Sequence, residues 1–348
     1  MKALVLAGGS GTRFWPASRR QRPKQLLSLE GGPSLLQVTI DRIQPLVNPE
    51  SVWVCTTEVL AQQVREQLPL VPPRQVLAEP AGRNTAPAIG WSLRSMPAEE
   101  RDDVVLILPA DHRIEDREAF LETLRTAEKI TREGDRVMTL GVHPVRPDTG
   151  YGYLELGPVL DAESGLRQVK QYTEKPDQQT ADRFVESGDY LWNAGIFLVR
   201  VGRLLELLAE HQPEMARSLE AIEGQPESIA ELYPRLPSIS IDFGVMEHLE
   251  EVVTLPLDCG WSDLGSWEAL AEILPRDESG NVARGEVVSV DCRGNVFFAE
   301  EGTIAALGVE GLVVVRTGDS VLVVPKNRTQ EIRKIVAALE DRGLTDLL

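Results

Sequence analysis

The sequence predicts an α/β fold built on a doubly wound, mostly parallel sheet, with a small β module at the C-terminal end. Short apolar runs rich in β-branched residues alternate with longer helical patterns, at KALVLA, SVWVCT, RQVLAE, DVVLILPA and RVMTLGV. This alternation is typical of parallel βαβ units whose helices cover both faces of the sheet. From about residue 281 the helical patterns almost disappear, which indicates a separate β module.

The middle of the chain follows a less regular order. After residue 150 we expect strands at YGYLELG and LRQVKQYTEKP, a helix at DRFVESG, a strand at NAGIFLVR and a helix at VGRLLELLAEH. A polar, proline-containing region then runs to about Pro237, followed by predicted strands at SISIDF and VVTLPL. Because ligands bind outside the carboxyl ends of parallel strands, the residues that follow each strand are the first candidates for function.

The C-terminal part has short predicted strands, broken by glycine-containing turns every 6–10 residues. This spacing is compatible with a short left-handed β-helix, and a helix at TQEIRKIVAALEDRG closes the module. We place the boundary near residues 275–282 and predict two domains, residues 1–278 and residues 279–348.

Charge and composition exclude several classes of function. The chain has 54 acidic and 36 basic residues and a net charge of −18, which argues against a nucleic acid or an anionic membrane as partner. No apolar run reaches the roughly 18–20 residues that span a bilayer, and the chain enters a strand without a signal-peptide pattern. Cys55, Cys259 and Cys292 lie far apart, which disfavours disulfides and zinc. We therefore expect a cytoplasmic protein.

The first predicted strand runs into a glycine turn with a local excess of positive charge. The first 29 residues contain six basic side chains and no acidic one. Glycines let backbone N–H groups approach an anion, but the segment lacks the Walker A lysine, and Phe14 replaces the third glycine of the dinucleotide fingerprint. A tight turn without a ligand is the alternative. Arg13 and Lys24 favour a substrate with several phosphates, whereas at least two of the arginines at positions 19, 20 and 22 are expected to be solvated surface charges.

Eight segments, in order, resemble the sugar-1-phosphate nucleotidylyltransferases, in the form found in mannose-1-phosphate guanylyltransferases. They are LAGGSGTRFWPASRRQRPKQ, EPAGRNTAPAI, LPADH, TGYGYLE, TEKP, WNAGIF, SIDFGVME and GWSDLGSW. The main departure is Phe14, where the family usually has leucine. The resemblance implies a Rossmann-like catalytic domain of the nucleotide-diphospho-sugar transferase type. The 348 residues leave no room for the isomerase domain of the longer, bifunctional members.

The resemblance implies that mannose 1-phosphate attacks the α-phosphorus of GTP and releases pyrophosphate. Such a transfer requires positioning and charge neutralisation rather than a protein nucleophile. It assigns the catalytic roles to Arg13 and Lys24, which would act on the phosphates. The nucleotide contacts that it implies in the glycine turn are Leu6, Gly8, Gly9, Gly11 and Thr12.

Asp111 and Asp263 are the metal ligands that the resemblance implies, and the metal is Mg²⁺, which prefers oxygen donors. Asp111 follows the strand at VVLILPA, and Asp263 follows the strand at VVTLPLD. Without the resemblance, the favoured interpretation of Asp111 is the N-cap of the helix at RIEDREAFLETL, and the alternative for Asp263 is a turn carboxylate.

Glu79 is the residue that we expect to select the base. Guanine presents two adjacent donor groups, and a carboxylate can accept from both, whereas adenine presents an acceptor at N1. Arg83, Asn84 and Thr85 follow in the same segment and would assist. A surface glutamate before a proline turn is the alternative interpretation of Glu79.

The sugar-phosphate contacts implied by the resemblance are Gly152, Glu174, Lys175, Asn193 and Gly195. The Glu174 carboxylate can accept from vicinal hydroxyls, and the Lys175 ammonium can neutralise the sugar phosphate. Gly152 would let the backbone approach the sugar ring. In isolation, the default interpretation of the Glu174–Lys175 pair is an exposed ion pair at a strand end, which contributes little energetically.

Two alternatives to the mannose reaction stay open at this point. The sugar phosphate could be a related one, such as a heptose or glucose 1-phosphate. A non-catalytic homologue that binds GDP-mannose is the other, although such proteins tend to lose the cationic and metal-binding positions that are present here. The C-terminal module could pair subunits through exposed strand edges, and we predict a homodimer.

Overall fold

The structure is a computed structural model that describes residues 1–9, 11–29 and 31–348. The strands are β1 (Lys2–Leu6), β2 (Val52–Thr57), β3 (Val76–Glu79), β4 (Val104–Pro109), β5 (Val137–Val142), β6 (Gly152–Asp161), β7 (Leu166–Glu174), β8 (Tyr190–Arg200), β9 (Val252–Pro256), β10 (Val282–Val290), β11 (Val296–Leu307), β12 (Leu312–Thr317) and β13 (Ser320–Pro325). The α-helices are α1 (Leu35–Ile43), α2 (Glu58–Gln67), α3 (Thr85–Ser95), α4 (Arg117–Glu133), α5 (Gln178–Ser187), α6 (Val201–His211), α7 (Pro213–Gly224), α8 (Ile229–Leu232), α9 (Ile241–Gly244), α10 (Trp267–Ile273) and α11 (Ile332–Asp341).

The chain divides into two compact units, each made of several segments. The first unit comprises Met1–Gly8, Ile40–Ala110 and Ile114–Trp261. The second unit comprises Gly9–Thr39, Asp111–Arg113 and Ser262–Leu348. The glycine turn therefore begins at the end of one unit's segment and continues in the other.

The first unit contains a nine-stranded sheet in the order β3-β2-β1-β4-β8-β5-β9-β7-β6, in which β6 also pairs with β8. β1 is parallel to β2 and β4, and β2 is parallel to β3. β8 lies antiparallel between β4 and β5, and β7 lies antiparallel to β9 and β6. The predicted Rossmann-like α/β fold is confirmed, and its regular parallel order is interrupted at β7 and β8.

The buried strands explain the continuous apolar runs. The middle residues of β1, Ala3 to Val5, are fully buried, and β4 is buried from Val104 to Leu108. A strand covered on both faces needs apolar side chains at every position, because no side of it meets water. The core of this unit joins the sheet to α3, α6 and α7, through residues such as Leu4, Ile89 and Leu205.

Two local expectations from the sequence differ from the structure. The segment SISIDF is not a strand, because Ser240 is the N-cap of the short helix α9 and accepts a hydrogen bond from the Phe243 N–H at 3.2 Å. The polar region before Pro237 contains α7, which begins at Pro213 and buries Met215, Leu219 and Ile222. Proline at the first helical position is favourable, since that N–H has no partner within the helix.

The second unit contains a four-stranded sheet in the order β10-β11-β12-β13. β10, β11 and β12 pair in parallel, and β12 and β13 form an antiparallel hairpin. Their inner face packs with Phe14, Trp267 and Phe298 in one apolar cluster. The predicted C-terminal β module is thus confirmed, and its left-handedness stays a prediction.

No helix in the described ranges is both long and apolar enough to cross a membrane. Cys55, Cys259 and Cys292 are free, buried thiols.

Candidate active site

In the glycine turn after β1, packing requires glycine at position 11 but not at position 9. Gly11 has φ of 58°, and a Cβ there would lie 2.6 Å from the Lys24 Cβ, so only glycine fits. At Gly9, by contrast, a Cβ would meet no described heavy atom within 4 Å. The Gly9 carbonyl accepts a hydrogen bond from Gln25 Nε2 at 3.1 Å, which holds the turn in place. Gly9 therefore leaves open space beside a fixed backbone.

The residues on either side of these glycines have backbone roles. The Leu6 carbonyl, at the end of β1, accepts a hydrogen bond from the Ala110 N–H at 3.0 Å. Thr12 opens a short 3-10 turn, and its carbonyl accepts from the Trp15 N–H at 3.1 Å. The Gly8 Cα faces the Glu79 carboxylate, because a Cβ on Gly8 would lie 3.3 Å from Glu79 Oε2.

Lys24 brings together the two predicted metal ligands within the second unit. Its Nζ lies 2.8 Å from Asp111 Oδ2 and 2.5 Å from the Asp263 carbonyl oxygen. The Lys24 side chain is 6% exposed, so its charge depends on these partners. Burial alone would raise the pKa of Asp111, but the Lys24 charge and the other favourable contacts together outweigh it and lower that pKa. Asp111 therefore stays ionised beside a buried ammonium.

A short antiparallel bridge explains how residues so distant in sequence meet. The Arg113 N–H donates to the Ser262 carbonyl at 2.8 Å, and the Ser262 N–H donates to the Arg113 carbonyl at 3.0 Å. This pairing brings the segments of Asp111 and Asp263 side by side. The cap of α4 is Asp116, which accepts from the Ala119 N–H at 3.0 Å, so Asp111 is not the helix N-cap.

Arg13 approaches the same group. A Cβ on Gly265 would lie 2.7 Å from Asp263 Oδ2 and 3.2 Å from a terminal nitrogen of Arg13, so Gly265 makes room for both side chains. The Gly265 N–H donates to Asp263 Oδ1 at 2.9 Å and orients that carboxylate. Arg13 also donates to the neutral amide oxygen of Gln330 at 3.2 Å.

The other arginines of the glycine-turn segment pair with carboxylates. Arg19 pairs with Asp319, Arg20 with Glu340, and Arg22 with Glu300. Arg20 and Arg22 are largely exposed, at 60% and 49% of the side chain, and Arg19 is more covered. Part of the positive charge near the turn is therefore balanced by acids of the C-terminal module. Arg13 differs from these three in that its described hydrogen bond is to an uncharged group.

Glu79 lies at the carboxyl end of β3 and is only 5% exposed, so it is not a surface residue. The Tyr233 hydroxyl donates to Glu79 Oε1 at 2.5 Å, and the Cys55 thiol is a second donor. Burial raises the pKa of Glu79, and these two hydrogen bonds counteract the rise. The result is a carboxylate inside the first unit, fixed by two neutral donors.

Arg83, Asn84 and Thr85 follow Glu79 in a defined loop. Asn84 has φ of 68°, an uncommon value for a non-glycine residue, and its side chain accepts from the Thr85 N–H at 2.8 Å. Thr85 Oγ1 accepts from the Ile241 N–H at 2.8 Å. Arg83 Nε is buried and has no hydrogen-bond partner among the described residues. The loop thus combines backbone strain with a buried donor that protein groups in the described ranges do not satisfy.

Glu174 and Lys175 form the predicted ion pair at the end of β7. The Glu174 side chain is 7% exposed and that of Lys175 is 54% exposed, so only the lysine is a surface group. Lys175 has φ of 47°, in the left-handed region that non-glycine residues seldom adopt. The pair is therefore not the exposed strand-end pair of the alternative interpretation.

Asn193, Gly195 and Gly152 support this pair from inside the unit. The Asn193 Oδ1 accepts from Thr139 Oγ1 at 2.7 Å and from the Gly195 N–H at 3.2 Å. Gly195 has φ of 66°, which explains why glycine stands there. A Cβ on Gly152 would lie 2.5 Å from Glu174 Oε2, so this glycine makes room for the carboxylate itself.

Four polar residues of this region had not been singled out from the sequence: Cys55, Tyr172, Tyr233 and Asp242. The sequence does contain a signal for Tyr172, because it precedes Glu174 by two positions on β7 and so shares a face of the sheet with it. Asp242 lies within SIDFGVME, where the alternation of apolar residues predicts a strand instead of a helix. Cys55 and Tyr233 have no local signal, since both meet Glu79 only through the fold.

Comparison with known proteins shows the family of this chain. Residues 2–280 match the Nucleotidyl transferase family, and residues 285–339 match the MannoseP isomerase/GMP-like beta-helix domain. The chain is 38% identical over 356 residues to a mannose-1-phosphate guanylyltransferase of Escherichia coli, covering 98% of this chain and 73% of that protein. It is also 38% identical to the mannose-1-phosphate guanylyltransferase ManC of Salmonella typhimurium, over 98% of this chain and 73% of the relative.

A solved structure has the same fold over nearly its whole length. A crystal structure from Thermus thermophilus, described as a mannose-1-phosphate geranyltransferase, superposes with a TM-score of 0.89 at 38% identity. The match covers 97% of this chain and 99% of that one. The site contains a buried lysine–carboxylate pair, Lys24 and Asp111, and a buried carboxylate, Glu79, next to Gly8. Together with these matches, we conclude that this chain belongs to the nucleotidyl transferase family, as an enzyme of the kind represented by the mannose-1-phosphate guanylyltransferases.

Proposed function

We propose that this protein transfers a guanylyl group from GTP to α-D-mannose 1-phosphate and releases pyrophosphate. A phosphate oxygen of the sugar phosphate forms a bond to the α-phosphorus, and the bond from that phosphorus to the oxygen bridging to the β-phosphate breaks. The products are GDP-mannose and pyrophosphate. The observation that carries the choice of GTP is Glu79, a buried acceptor beside the glycine turn that can pair with two adjacent guanine donors. The names of the relatives support the sugar.

The phosphate groups would be handled by Arg13 and Lys24. Gly9 offers a fixed backbone with open space beside it, which suits the close approach of an anion. Arg13 would stabilise the charge that develops on pyrophosphate, and Lys24 would lie near the reacting phosphates. The remaining nucleotide contacts would come from the backbone of Leu6, Gly8, Gly11 and Thr12.

Asp111 and Asp263 would hold Mg²⁺, which neutralises phosphate charge when it is bound. The donor set fits this ion, because both side chains offer hard oxygen ligands, and Lys24 Nζ contacts both the Asp111 carboxylate and the Asp263 backbone carbonyl. No group of three or more His, Cys, Asp or Glu residues in the described chain is arranged to hold a metal. The remaining coordination positions would therefore be taken by phosphate oxygens and water, as is usual for Mg²⁺.

On the base side, Arg83, Asn84 and Thr85 would assist Glu79. The Arg83 Nε, which is buried and unsatisfied among the described residues, supports a ligand contact for that side chain. On the sugar side, Glu174 would accept from sugar hydroxyls and Lys175 would neutralise the phosphate. The amide of Asn193 is engaged by protein groups, so it and Gly195 would act mainly by shaping the pocket wall, with Gly152.

We further propose a cytoplasmic homodimer with domains at residues 1–278 and 279–348. The two family matches, which end and begin at residues 280 and 285, support the boundary. The free thiols support a reducing compartment. An exposed apolar face on the C-terminal module, formed by Val288, Val290, Ala305 and Leu307, supports subunit pairing.

The deciding experiment is pyrophosphate release with mannose 1-phosphate and Mg²⁺, measured with GTP, UTP, dTTP, ATP and CTP in turn. We expect strong turnover with GTP alone. Equal turnover with another nucleotide would remove the role given to Glu79. Absence of turnover with every nucleotide, combined with measurable GDP-mannose binding, would identify a non-catalytic regulatory homologue instead. A panel of heptose and glucose 1-phosphates then defines the sugar.

A further inference from the structure

A single hydroxyl group joins two carboxyl groups inside the first unit. Tyr172 Oη lies 2.6 Å from Asp242 Oδ1 and 3.1 Å from Glu174 Oε2. Asn193 Nδ2 donates to the same tyrosine oxygen at 2.6 Å and to Asp242 Oδ1 at 3.3 Å. These four side chains are the Tyr172 network.

The two contacts between the Tyr172 oxygen and the carboxyl groups need two protons if both are hydrogen bonds, and the tyrosine has only one. The phenol has one proton, so it can donate to only one of the two carboxyl groups. The other contact is filled only when a carboxyl group carries a proton and donates to the phenol oxygen. Asn193 cannot change this balance, because its Oδ1 accepts from the Gly195 N–H, which fixes its Nδ2 as a donor toward the network.

The surroundings indicate that the extra proton belongs on Asp242. Glu174 pairs with Lys175, and its backbone N–H donates to Glu247 Oε1 at 2.9 Å. Asp242 faces two groups of β7, the Tyr172 hydroxyl and the Glu174 charge. The Lys175 ammonium opposes the effect of Glu174 on the pKa of Asp242, but more weakly. Burial first, and then the Glu174 charge, raise the pKa of Asp242 to about 6.

We propose that Asp242 and Tyr172 are positioning residues for Glu174: when Asp242 carries a proton, it donates to the Tyr172 oxygen, and the Tyr172 hydroxyl then donates to Glu174 and holds it for the sugar phosphate. This inference rests on the proposed role of Glu174 in sugar binding. It assigns a function to Asp242, which touches no substrate atom in the proposed reaction. It also makes binding of the anionic sugar phosphate depend on whether Asp242 is charged.

The direction of the effect follows from charge. With Asp242 ionised, two carboxylates lie close to the place where the sugar phosphate binds, and the tyrosine proton is held by Asp242 instead of Glu174. Sugar-phosphate binding is therefore weaker above the range in which Asp242 loses its proton. By linkage, if binding of the sugar phosphate shifts this proton equilibrium by about one pH unit, the affinity changes about tenfold between the two limits.

The test compares Asp242→Asn with the wild-type protein. An asparagine can donate to the Tyr172 oxygen and is neutral at every pH, so it imitates the protonated aspartate. KM for mannose 1-phosphate and KM for GTP are measured between about pH 5.5 and 7.5. Because a phosphate monoester itself titrates near pH 6, the quantity to compare is the ratio of wild-type to variant KM, in which the substrate titration cancels.

We expect this ratio for mannose 1-phosphate to be near one at about pH 5.5 and to rise roughly three- to tenfold by about pH 7.5. The corresponding ratio for GTP stays constant. Tyr172→Phe, which removes the linking hydroxyl, raises KM for mannose 1-phosphate at about pH 5.5 more than at about pH 7.5, and so flattens the pH dependence relative to wild type. Tyr190→Phe is the matched control, since that hydroxyl lies 3.4 Å from Glu155 Oε2 and outside the network.

A ratio for mannose 1-phosphate that stays constant with pH would overturn the inference, even if turnover is normal. Equal changes in KM for both substrates would do the same, because they would show a general structural effect. Asp242→Leu separates these cases further, since it removes both the charge and the donor: KM for mannose 1-phosphate should exceed the wild-type value at about pH 5.5, where wild-type Asp242 donates, but not at about pH 7.5, where wild-type Asp242 is charged. Absence of turnover by the wild-type protein with every sugar phosphate would overturn the proposed function and this inference together.

Discussion

Glu79 is the residue to which our proposal assigns the choice of nucleotide. Its carboxylate is buried, accepts from the Tyr233 hydroxyl, and is adjacent to the Gly8 backbone. A buried acceptor discriminates strongly, because a base that cannot donate leaves it unpaired in a place that water does not reach. Tyr233 and Cys55 supply neutral donors, so they orient the carboxylate without cancelling its charge.

Glu79→Gln should lower kcat/KM for GTP by about 10- to 100-fold, which corresponds to about 2 kcal/mol for a mismatched buried hydrogen bond. The amide presents a donor where guanine also presents donors, so the relative activity with UTP should rise. The measurement is kcat/KM for GTP and UTP with mannose 1-phosphate. The control is Glu66→Gln, on the exposed side of α2. An unchanged GTP/UTP preference would refute the role of Glu79.

At the scale of elements, two glycines of the glycine turn differ in what the surrounding structure requires of them. Gly11 is required by its φ of 58° and by the Lys24 backbone that packs against it. Gly9 has neither constraint, and the space beside it is open among the described residues. This difference fits the phosphate contact proposed for Gly9, and substitution can separate the two cases.

Gly9→Ala should leave the free energy of unfolding within about 0.5 kcal/mol of wild type but raise KM for GTP, because the methyl group fills the space proposed for a phosphate. Gly11→Ala should lower the free energy of unfolding by about 1–3 kcal/mol through backbone strain and the clash with Lys24. Chemical denaturation and steady-state kinetics measure the two effects. A Gly9→Ala variant with normal KM for GTP would contradict the proposed phosphate contact.

For the whole molecule, buried carboxyl groups make stability depend on pH. Asp242 has its pKa raised from 3.8 to about 6 in the folded protein, so between about pH 4 and 6 the folded state binds more protons than the unfolded state. Stability from this group is full below about pH 4 and is lost as pH rises through the folded pKa. The loss is about 3 kcal/mol when the two pKa values are about two units apart.

Asp242→Asn removes this contribution, so the difference in unfolding free energy between variant and wild type should move in favour of the variant by about 2 kcal/mol from about pH 4.5 to 7.5. Urea denaturation at a series of pH values measures the difference. Other carboxyl groups titrate in both proteins, so they cancel. A difference that does not vary with pH would show that Asp242 keeps an ordinary pKa.

Assembly is the second property of the whole molecule that the structure makes testable. Val288 lies next to Ala305, and Val290 next to Leu307, on neighbouring parallel strands, and all four are exposed. Exposed contiguous apolar surface of this kind favours association with another surface. Sedimentation at micromolar concentration should give a dimer for the wild-type protein and a monomer for Leu307→Lys. A monomeric wild-type protein would contradict the prediction.

The sequence by itself determined the order of most strands and helices, the β module and the family. Apolar runs such as KALVLA predict strands that are buried on both faces. The glycines, lysine and aspartates that follow strands are candidates for ligand contacts, because ligands bind at the carboxyl ends of parallel strands. The strand assigned to SISIDF was wrong because Ser240 caps a helix there, which alternation of apolar residues does not reveal.

Only the tertiary structure decided which polar groups meet. Tyr233 reaches Glu79 across 154 positions, and Lys24 reaches Asp111 across 87, through contacts that no local pattern encodes. The Tyr172 network likewise joins β7, β8 and α9. The preference of a segment for helix or strand is set by its neighbours along the chain. Burial, shared protons and shifted pKa values depend instead on groups that folding brings together. The proposed chemistry uses these tertiary properties.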